Sequence, residues 1–266
     1  MTNQVLIVFV LTFVIHLIST LSYSVRIVGI RTKRIAVSFA LFNIMVLVSR
    51  TANGFQAPLL ANQVEKNIQN GIGEDLFDFR IILLGATLAT IVGGFLIPTF
   101  QRIFTKSVYQ FSIHKSIPRL LIHGFSKSGI IQFANSLKIP DKKNVTELIK
   151  FRNIPKKIFI LNIVAVAVLT VGVLASLYAG YLAPDLRTTS STLSSIINGG
   201  ATILLFIFID PYLSGLTDDV IIGKCSEIVF RQFIIWMVVA RLIGTLIAQL
   251  IFVPSAELIS IVAQMI

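Results

Sequence analysis

Charge is what this chain has least of. Asp, Glu, Lys and Arg together make up 13% of its 266 residues, whereas an average soluble domain carries about a quarter. With 55% hydrophobic residues and a mean hydropathy of +0.86, that scarcity excludes an ordinary soluble domain and marks an integral membrane protein. Acidic residues are scarcer than basic ones, 12 against 23, which leaves a formal charge of +11. The single cysteine, Cys225, excludes an intrachain disulfide. The sequence has no Walker loop, no His-Glu-x-x-His, no Gly-x-Ser-x-Gly and no Cys/His cluster, so no metal, nucleotide or other cofactor is expected. The carboxylates fall almost entirely between the apolar runs. That leaves no paired carboxylates, and no carboxylate with a histidine, at one depth for phosphotransfer or hydrolysis. A basic stretch before the first apolar run is also missing: Met1 to Gln4 holds no Lys or Arg, while Arg26, Arg31, Lys33 and Arg34 follow the run. The run is expected to be a retained helix and not a cleaved leader.

What the chain has in quantity is long apolar runs. A helix crossing about 30 Å of hydrocarbon needs about 20 apolar residues. Six segments qualify, at about 5–23, 35–55, 79–100, 158–181, 195–209 and 230–253. The predicted fold class is therefore an all-α polytopic membrane protein, with residues 1–266 forming a single membrane domain. The fifth segment is the shortest, and the pair Asp210-Pro211 is expected to end it. The tail from Glu257 to Ile266 is apolar but too short to span, so it is expected at the membrane interface.

The connecting segments differ sharply in charge. Residues 99–157 hold twelve Lys/Arg against Asp141 and Glu147, and the first connection holds four basic residues. The second carries Glu65, Glu74, Asp75 and Asp78 against Lys66. The positive-inside rule then puts the first and third connections in the cytoplasm and both termini outside. In the basic segment 101–157, Phe104, Val108, Phe111, Ile117, Leu120, Leu121 and Phe125 interleave with Lys106, Lys115, Arg119 and Lys127, and Pro118 interrupts them. This pattern predicts amphipathic stretches on the cytoplasmic leaflet. The polybasic run from Lys138 to Lys157 suits anionic membrane lipids, and no nucleic acid is expected. The sequon at Asn144 falls in this cytoplasmic segment and is set aside.

Polar residues inside the apolar runs are the candidate site, because lipid offers them no hydrogen-bond partner. Arg241 lies ten residues beyond Arg231, about 15 Å into the sixth segment at helical rise, and shares a stripe with Thr245 and Gln249. The second segment carries Asn43, Arg50 and Asn53. The first carries Thr12, His16, Ser19, Thr20 and Tyr23, and the third carries Arg80, Thr87, Thr90 and Gly94. An arginine at mid-membrane costs about 2.5–3.5 kcal/mol on insertion scales and is a functional candidate by default. Each has a plainer reading beside the functional one. Arg241 would then cap carbonyls or pair with Glu257 or Asp210, Arg50 would snorkel outward, His16 would be a packing residue, and Arg80 would anchor a helix end. Small residues recur every fourth position in three segments: Gly85, Ala89 and Gly93; Gly172, Ser176 and Gly180; Ala240, Gly244 and Ala248. Such faces let membrane helices approach closely. The first and last three segments would have opposite topology, as inverted repeats do, but no internal repeat is legible in the residues.

Three stretches carry a family resemblance: Leu21-Ser-Tyr-Ser-Val-Arg-Ile-Val-Gly-Ile-Arg31, then Ile35-Ala-Val-Ser-Phe-Ala-Leu-Phe-Asn43, then Ser49-Arg-Thr-Ala-Asn53 with Gln56-Ala-Pro-Leu-Leu60. They resemble the Amj family of bacterial lipid II flippases, alternates to the MurJ proteins. The resemblance is most specific over the first 60 residues and extends in six-segment character over nearly the whole chain. It implies a transporter, not an enzyme, of the bacterial cytoplasmic membrane that carries undecaprenyl-diphosphate-linked peptidoglycan precursor from the inner to the outer leaflet. By motif it reaches Arg50 and its neighbours; Arg241 is picked out by its depth alone. An arginine fork suits a diphosphate because it binds phosphate oxygens in pairs and stays protonated. A membrane enzyme acting on polyprenyl phosphates and an envelope scaffold are the competing classes. Six helices leave little room for so large a cargo, which makes a homodimer a further expectation.

Overall fold

A computed structural model of the chain describes residues 2–114, 126–138 and 155–266. Every regular element among them is helical. They are α1 (Asn3–Thr32), α2 (Ile35–Gln69), α3 (Leu76–His114), α4 (Lys127–Ser136), α5 (Lys156–Leu182), α6 (Arg187–Leu204), α7 (Asp210–Ile221) and α8 (Glu227–Met265). One turn of π-helix, Leu205–Ile209, joins α6 to α7, so that Pro184–Ile221 forms the fifth span. Six helices are long and apolar enough to cross a membrane, as an all-α polytopic protein requires.

Local chemistry sets the helix ends. Thr2 caps α1 by accepting from the Val5 amide, and Ser226 caps α8 by accepting from the Val229 amide, each satisfying one of the unpaired amides of a first turn. The α1–α2 connection is only two residues long. Lys33 adopts a left-handed conformation with φ 55°, and its amide closes the helix on the Gly29 and Ile30 carbonyls. Gly29 is required there, because a Cβ would sit 3.1 Å from the Cα of Ile35.

The helices run further than hydropathy alone predicts. Asp210-Pro211 does not end the fifth span. Pro211 sits in the first turn of α7, where its missing N–H is not needed, and the preceding π turn absorbs the mismatch. The apolar tail is the last part of α8, which continues through Pro254 to Met265. Likewise α3 passes Pro98 and reaches His114. Phe104 and Val108, expected on a surface stretch, therefore pack in a core cluster with Val25, Val28, Leu41 and Phe42. Within the basic segment, α4 is pinned to α3 where Thr99 Oγ1 donates to the Lys138 carbonyl (3.2 Å) and accepts from the Lys138 amide (3.0 Å). Lys115, Ile117, Pro118, Arg119, Leu120, Leu121, Phe125 and the polybasic residues 142–152 lie outside the described residues.

Packing divides the spans into two groups. In the first, α1 is the hub, holding α2 on one side and α3 on the other; in the second, α5 holds α6 and α8 in the same way. The groups meet chiefly along α3 and α8, with α2 against α5. Small residues lie at each close approach. A Cβ on Gly93 would meet Thr20 at 2.8 Å, and one on Gly244 would meet the Ile163 carbonyl oxygen at 2.8 Å and Val166 at 2.9 Å. Ala89, Ser176, Ala240 and Ala248 are fully buried in the same seams. Without a hydrophobic effect between helices in lipid, such backbone-to-backbone contact is the main source of their attraction.

Gly244→Ala must push α8 off the α5 backbone and is expected to cost about 1–3 kcal/mol, read as a lower unfolding temperature in detergent. Gly199→Ala, at a helical position with nothing within 4 Å, is the matched control. It is expected to leave that temperature unchanged or raise it, since Ala outranks Gly in a helix by up to about 1 kcal/mol.

Candidate functional site

The structure brings together a polar cluster between α1, α5 and α8. Arg241 points inward and is buried, at 9% exposure, because the small face of α8 turns that side of the helix toward α5. Its guanidinium lies beside the Tyr23 side chain on α1. The Tyr23 hydroxyl donates to Asn162 Oδ1 on α5 (3.2 Å), and Asn162 Nδ2 donates to the Met237 carbonyl on α8 (3.1 Å). Asn162 has no exposed surface. The result is a relay of polar groups in which each bond polarises the next, with arginine at one end and a helix carbonyl at the other.

Two atoms in this cluster lack partners. Arg241 Nε and His16 Nδ1 are buried with no hydrogen bond, and His16 lies within Coulombic reach of Arg241. Among the described residues no carboxylate stands within ion-pair distance of Arg241. Asp210 is paired with Arg26 at 3.4 Å, and Glu257 is exposed. Neither Glu257 nor Asp210 pairs with Arg241, and the Tyr23 phenol lies beside it. Thr245, one turn on, is fully buried and returns its hydroxyl to the Leu242 carbonyl (2.8 Å). A guanidinium has five N–H donors and no acceptor, so this cluster is short of acceptors and has room in its bonding for an anion.

Arg80 and Gln249 form a second group nearer the end of the bundle that carries the chain termini. Arg80 Nη1 donates to Gln249 Oε1 (3.3 Å), Gln249 Nε2 returns a bond to the Arg80 carbonyl (3.1 Å), and the guanidinium lies over the Phe252 ring at 5.7 Å. The two side chains hold α3 and α8 together at that level. Asn43, Arg50 and Asn53 are not drawn into either group. They lie exposed on the outward side of α2, beside Leu47, which is 63% exposed. Arg50 makes no hydrogen bond or ion pair among the described residues. An open recess of about 310 Å³ lies elsewhere, lined by residues that include Glu65, Arg187, Thr188 and Ser191.

Sequence reasoning did not single out Asn162 or Arg26. Asn162 is a lone amide in an otherwise apolar run, and its burial was the available signal, since a polar group deep in lipid must be paired within the protein. Arg26 was counted toward topology as a connection residue. In the structure it belongs to α1, where it donates to Ser214 (2.9 Å), pairs with Asp210 and lies over Phe39 at 5.1 Å.

Against known proteins, the family model Amj, described as "Alternate to MurJ", matches residues 11–263. The chain is 39% identical over 260 residues to the lipid II flippase Amj of Bacillus subtilis strain 168, covering 97% of this chain and 96% of that protein. No solved structure matches.

The relay carries a stability prediction. Tyr23→Phe removes the donor to Asn162 and the hydroxyl beside Arg241, and is expected to cost about 1–3 kcal/mol. Combined with Arg241→Met it should cost less than the two changes added, with a coupling of about 0.5–3 kcal/mol, measured as a double-mutant cycle of unfolding in detergent. Additive costs would show that the two side chains do not interact.

Proposed function

The chain belongs to the Amj family, and from that premise we propose that it moves lipid II from the inner to the outer leaflet of the bacterial cytoplasmic membrane. The observation that carries the reading is likeness along almost the full length of both chains to a protein named as a lipid II flippase. Membrane-crossing helices suit that task, because a diphosphate cannot pass hydrocarbon unaided: desolvating an ionised group costs far more than the cargo's own contacts return. In this reading both termini lie outside, and the basic segment 101–157 faces the cytoplasm and gathers anionic headgroups.

The proposed carrier of the diphosphate is Arg241, with His16 and Thr245 beside it. Support comes from its burial, its unpartnered Nε and the lack of a carboxylate near it among the described residues. Phosphate oxygens offer what the cluster lacks, acceptors for a two-pronged donor. Arg80 and Gln249 lie further toward the outer end and receive the anion next. Arg50, Asn43 and Asn53 present donors on the open side of α2, where the lipid tail remains in the bilayer while the headgroup crosses. The inside-negative potential favours outward movement by about 2.3 kcal/mol per net negative charge per 100 mV.

The test is replacement in cells that depend on this protein for precursor export. Arg241→Ala is expected to reduce precursor at the outer face at least tenfold. Arg241→Lys, which keeps the charge but loses the fork, should recover only part of that. Arg50→Ala should give a smaller loss, because its side chain is already solvated or lipid-facing. Normal export in both alanine variants, at normal protein levels, would remove arginine from the mechanism.

A further inference from the structure

We infer that the chain is a tandem of two inverted repeats, residues 3–114 and 156–265, which exchange conformations and thereby open the two ends of the bundle in turn. The inference takes its cargo from the proposed function; the repeat itself rests on geometry alone. Three spans per repeat is an odd number, so the halves necessarily run in opposite directions through the bundle.

The correspondence appears first in the third spans. Phe79-Arg80, Ala89 and Gly93 on α3 recur as Phe230-Arg231, Ala240 and Gly244 on α8, each 151 positions on. The same faces pack on the hub helices, with the contact on α5 shifted by about one helical turn between the two levels. Gly85 lies against Phe9, and its counterpart Trp236 lies against Phe159 with ring centroids 5.8 Å apart. Gly93 meets Leu17 and Thr20, and Gly244 meets Ile163 and Val166. The second spans agree as well. Phe55-x-x-Pro58-x-Leu60 on α2 recurs as Phe208-x-x-Pro211-x-Leu213, and the buried positions Gln56, Leu60 and Val64 answer to the buried Ile209, Leu213 and Thr217. Even the turns match: Gly29 lies against Ile35 at the start of α2, and Gly180 against Arg187 at the start of α6.

Each hub helix is clasped to the other repeat near its C-terminal end, α1 at one end of the bundle and α5 at the other. At the end bearing the basic segment, the hub α1 is clasped to the second repeat by Arg31–Glu227 (2.6 Å) and Arg26–Asp210 (3.4 Å). At the end bearing the termini, the hub α5 is clasped to the first repeat by Tyr178–Glu74 (2.6 Å) and by Asn67 Nδ2 donating to the Tyr181 hydroxyl (2.8 Å). The repeats are not in the same conformation. The turn before Pro211 is π-helical, whereas the corresponding turn before Pro58 is regular α-helix. A π turn stores a shift that its neighbour can take up, so the opposite state has the π turn in α2 and a regular fifth span.

Pseudo-symmetry also places the candidate site. The repeats meet where α3 crosses α8, with Gly94 against Val238 at 3.3 Å, and transporters of this plan bind cargo at that level. Arg241 lies one turn beyond Val238 on α8, and its counterpart in the first repeat is Thr90, whose hydroxyl is spent on the Ala86 carbonyl (2.9 Å). A single cation on the pseudo-axis is reachable from both ends without being duplicated.

The test uses full-length protein in proteoliposomes, in a Cys225→Ser background, with a fluorescent polyprenyl-diphosphate saccharide as probe. Glu74→Cys with Tyr178→Cys, or Arg31→Cys with Glu227→Cys, is bridged by a short reducible bis-thiol reagent. Either bridge is expected to lower probe translocation at least tenfold, with recovery on reduction. A bridge within one repeat, Thr12→Cys with Gln56→Cys, should change it less than twofold. Independently of cargo, bridging one end should raise thiol labelling of an unbridged Cys at the other end severalfold. Unchanged translocation with both end bridges formed, or unchanged labelling, overturns the exchange. Bridges that block translocation while Arg241→Ala leaves it intact would sink the arginine reading and keep this one; the reverse outcome would do the opposite.

Discussion

The costliest group in this fold is a buried guanidinium that meets no carboxylate among the described residues. Arg241 is buried between three helices, beside a phenol. A charge held this way is expensive: isolated from water it is far less stable than in a salt bridge with good geometry. The cost is tolerable because Tyr23, Asn162 and the Met237 carbonyl form a relay that fixes the polar groups in one arrangement. It is also tolerable only if helices pack closely enough to exclude lipid. That is the task of Gly93, which receives the Thr20 side chain, and of Gly244, which lies against the Ile163 carbonyl.

The same constraint explains which arginines in this chain are tied and which are not. Arg26, Arg31 and Arg187 each have an acidic partner, Asp210, Glu227 and Glu65. All three pairs sit toward the ends of the helices. The two more exposed pairs, Arg31–Glu227 and Arg187–Glu65, add little to stability, about 0–1 kcal/mol each, so their value lies in registering one helix against another. Arg241 and Arg50 are outside this scheme, one buried and one open. Among the described residues neither meets a carboxylate.

Much of the architecture was legible in the sequence. Six apolar runs gave six spans, and the small-residue faces of the third, fourth and sixth segments all became helix contacts. Arg241 was identified from depth alone, since a charge that far from either surface has nowhere to go but inward. The ends of the helices were not legible, because Pro58, Pro98 and Pro254 sit inside helices where hydropathy and proline rules both predict an end. Lipid makes the difference: in hydrocarbon a broken helix leaves unsatisfied amides, so a kink is cheaper than a stop. Asn43, Arg50 and Asn53 were grouped with the inward stripes because they share a helix face, but a shared face does not say which way that face points.

The repeat was hidden for a related reason. Inside a membrane Leu, Ile, Val and Phe satisfy almost every packed position, so two halves can hold the same shape with few shared letters. The letters that persist are those whose chemistry has no substitute. Glycine is kept where a backbone must be touched, as at Gly29 and Gly180 beneath the start of the next helix. Proline is kept where a span must bend, as at Pro58 and Pro211. Where the halves differ, the difference is informative. The first repeat has Gly85 against Phe9 where the second has Trp236 against Phe159, so the same volume is filled from one side in one half and from both sides in the other. Arg241 against Thr90 is the sharpest case, because replacing a hydroxyl by a guanidinium changes charge as well as volume. Among the described residues of the two halves, the third spans thus match at Phe79-Arg80 and Phe230-Arg231 but differ in charge at Thr90 and Arg241.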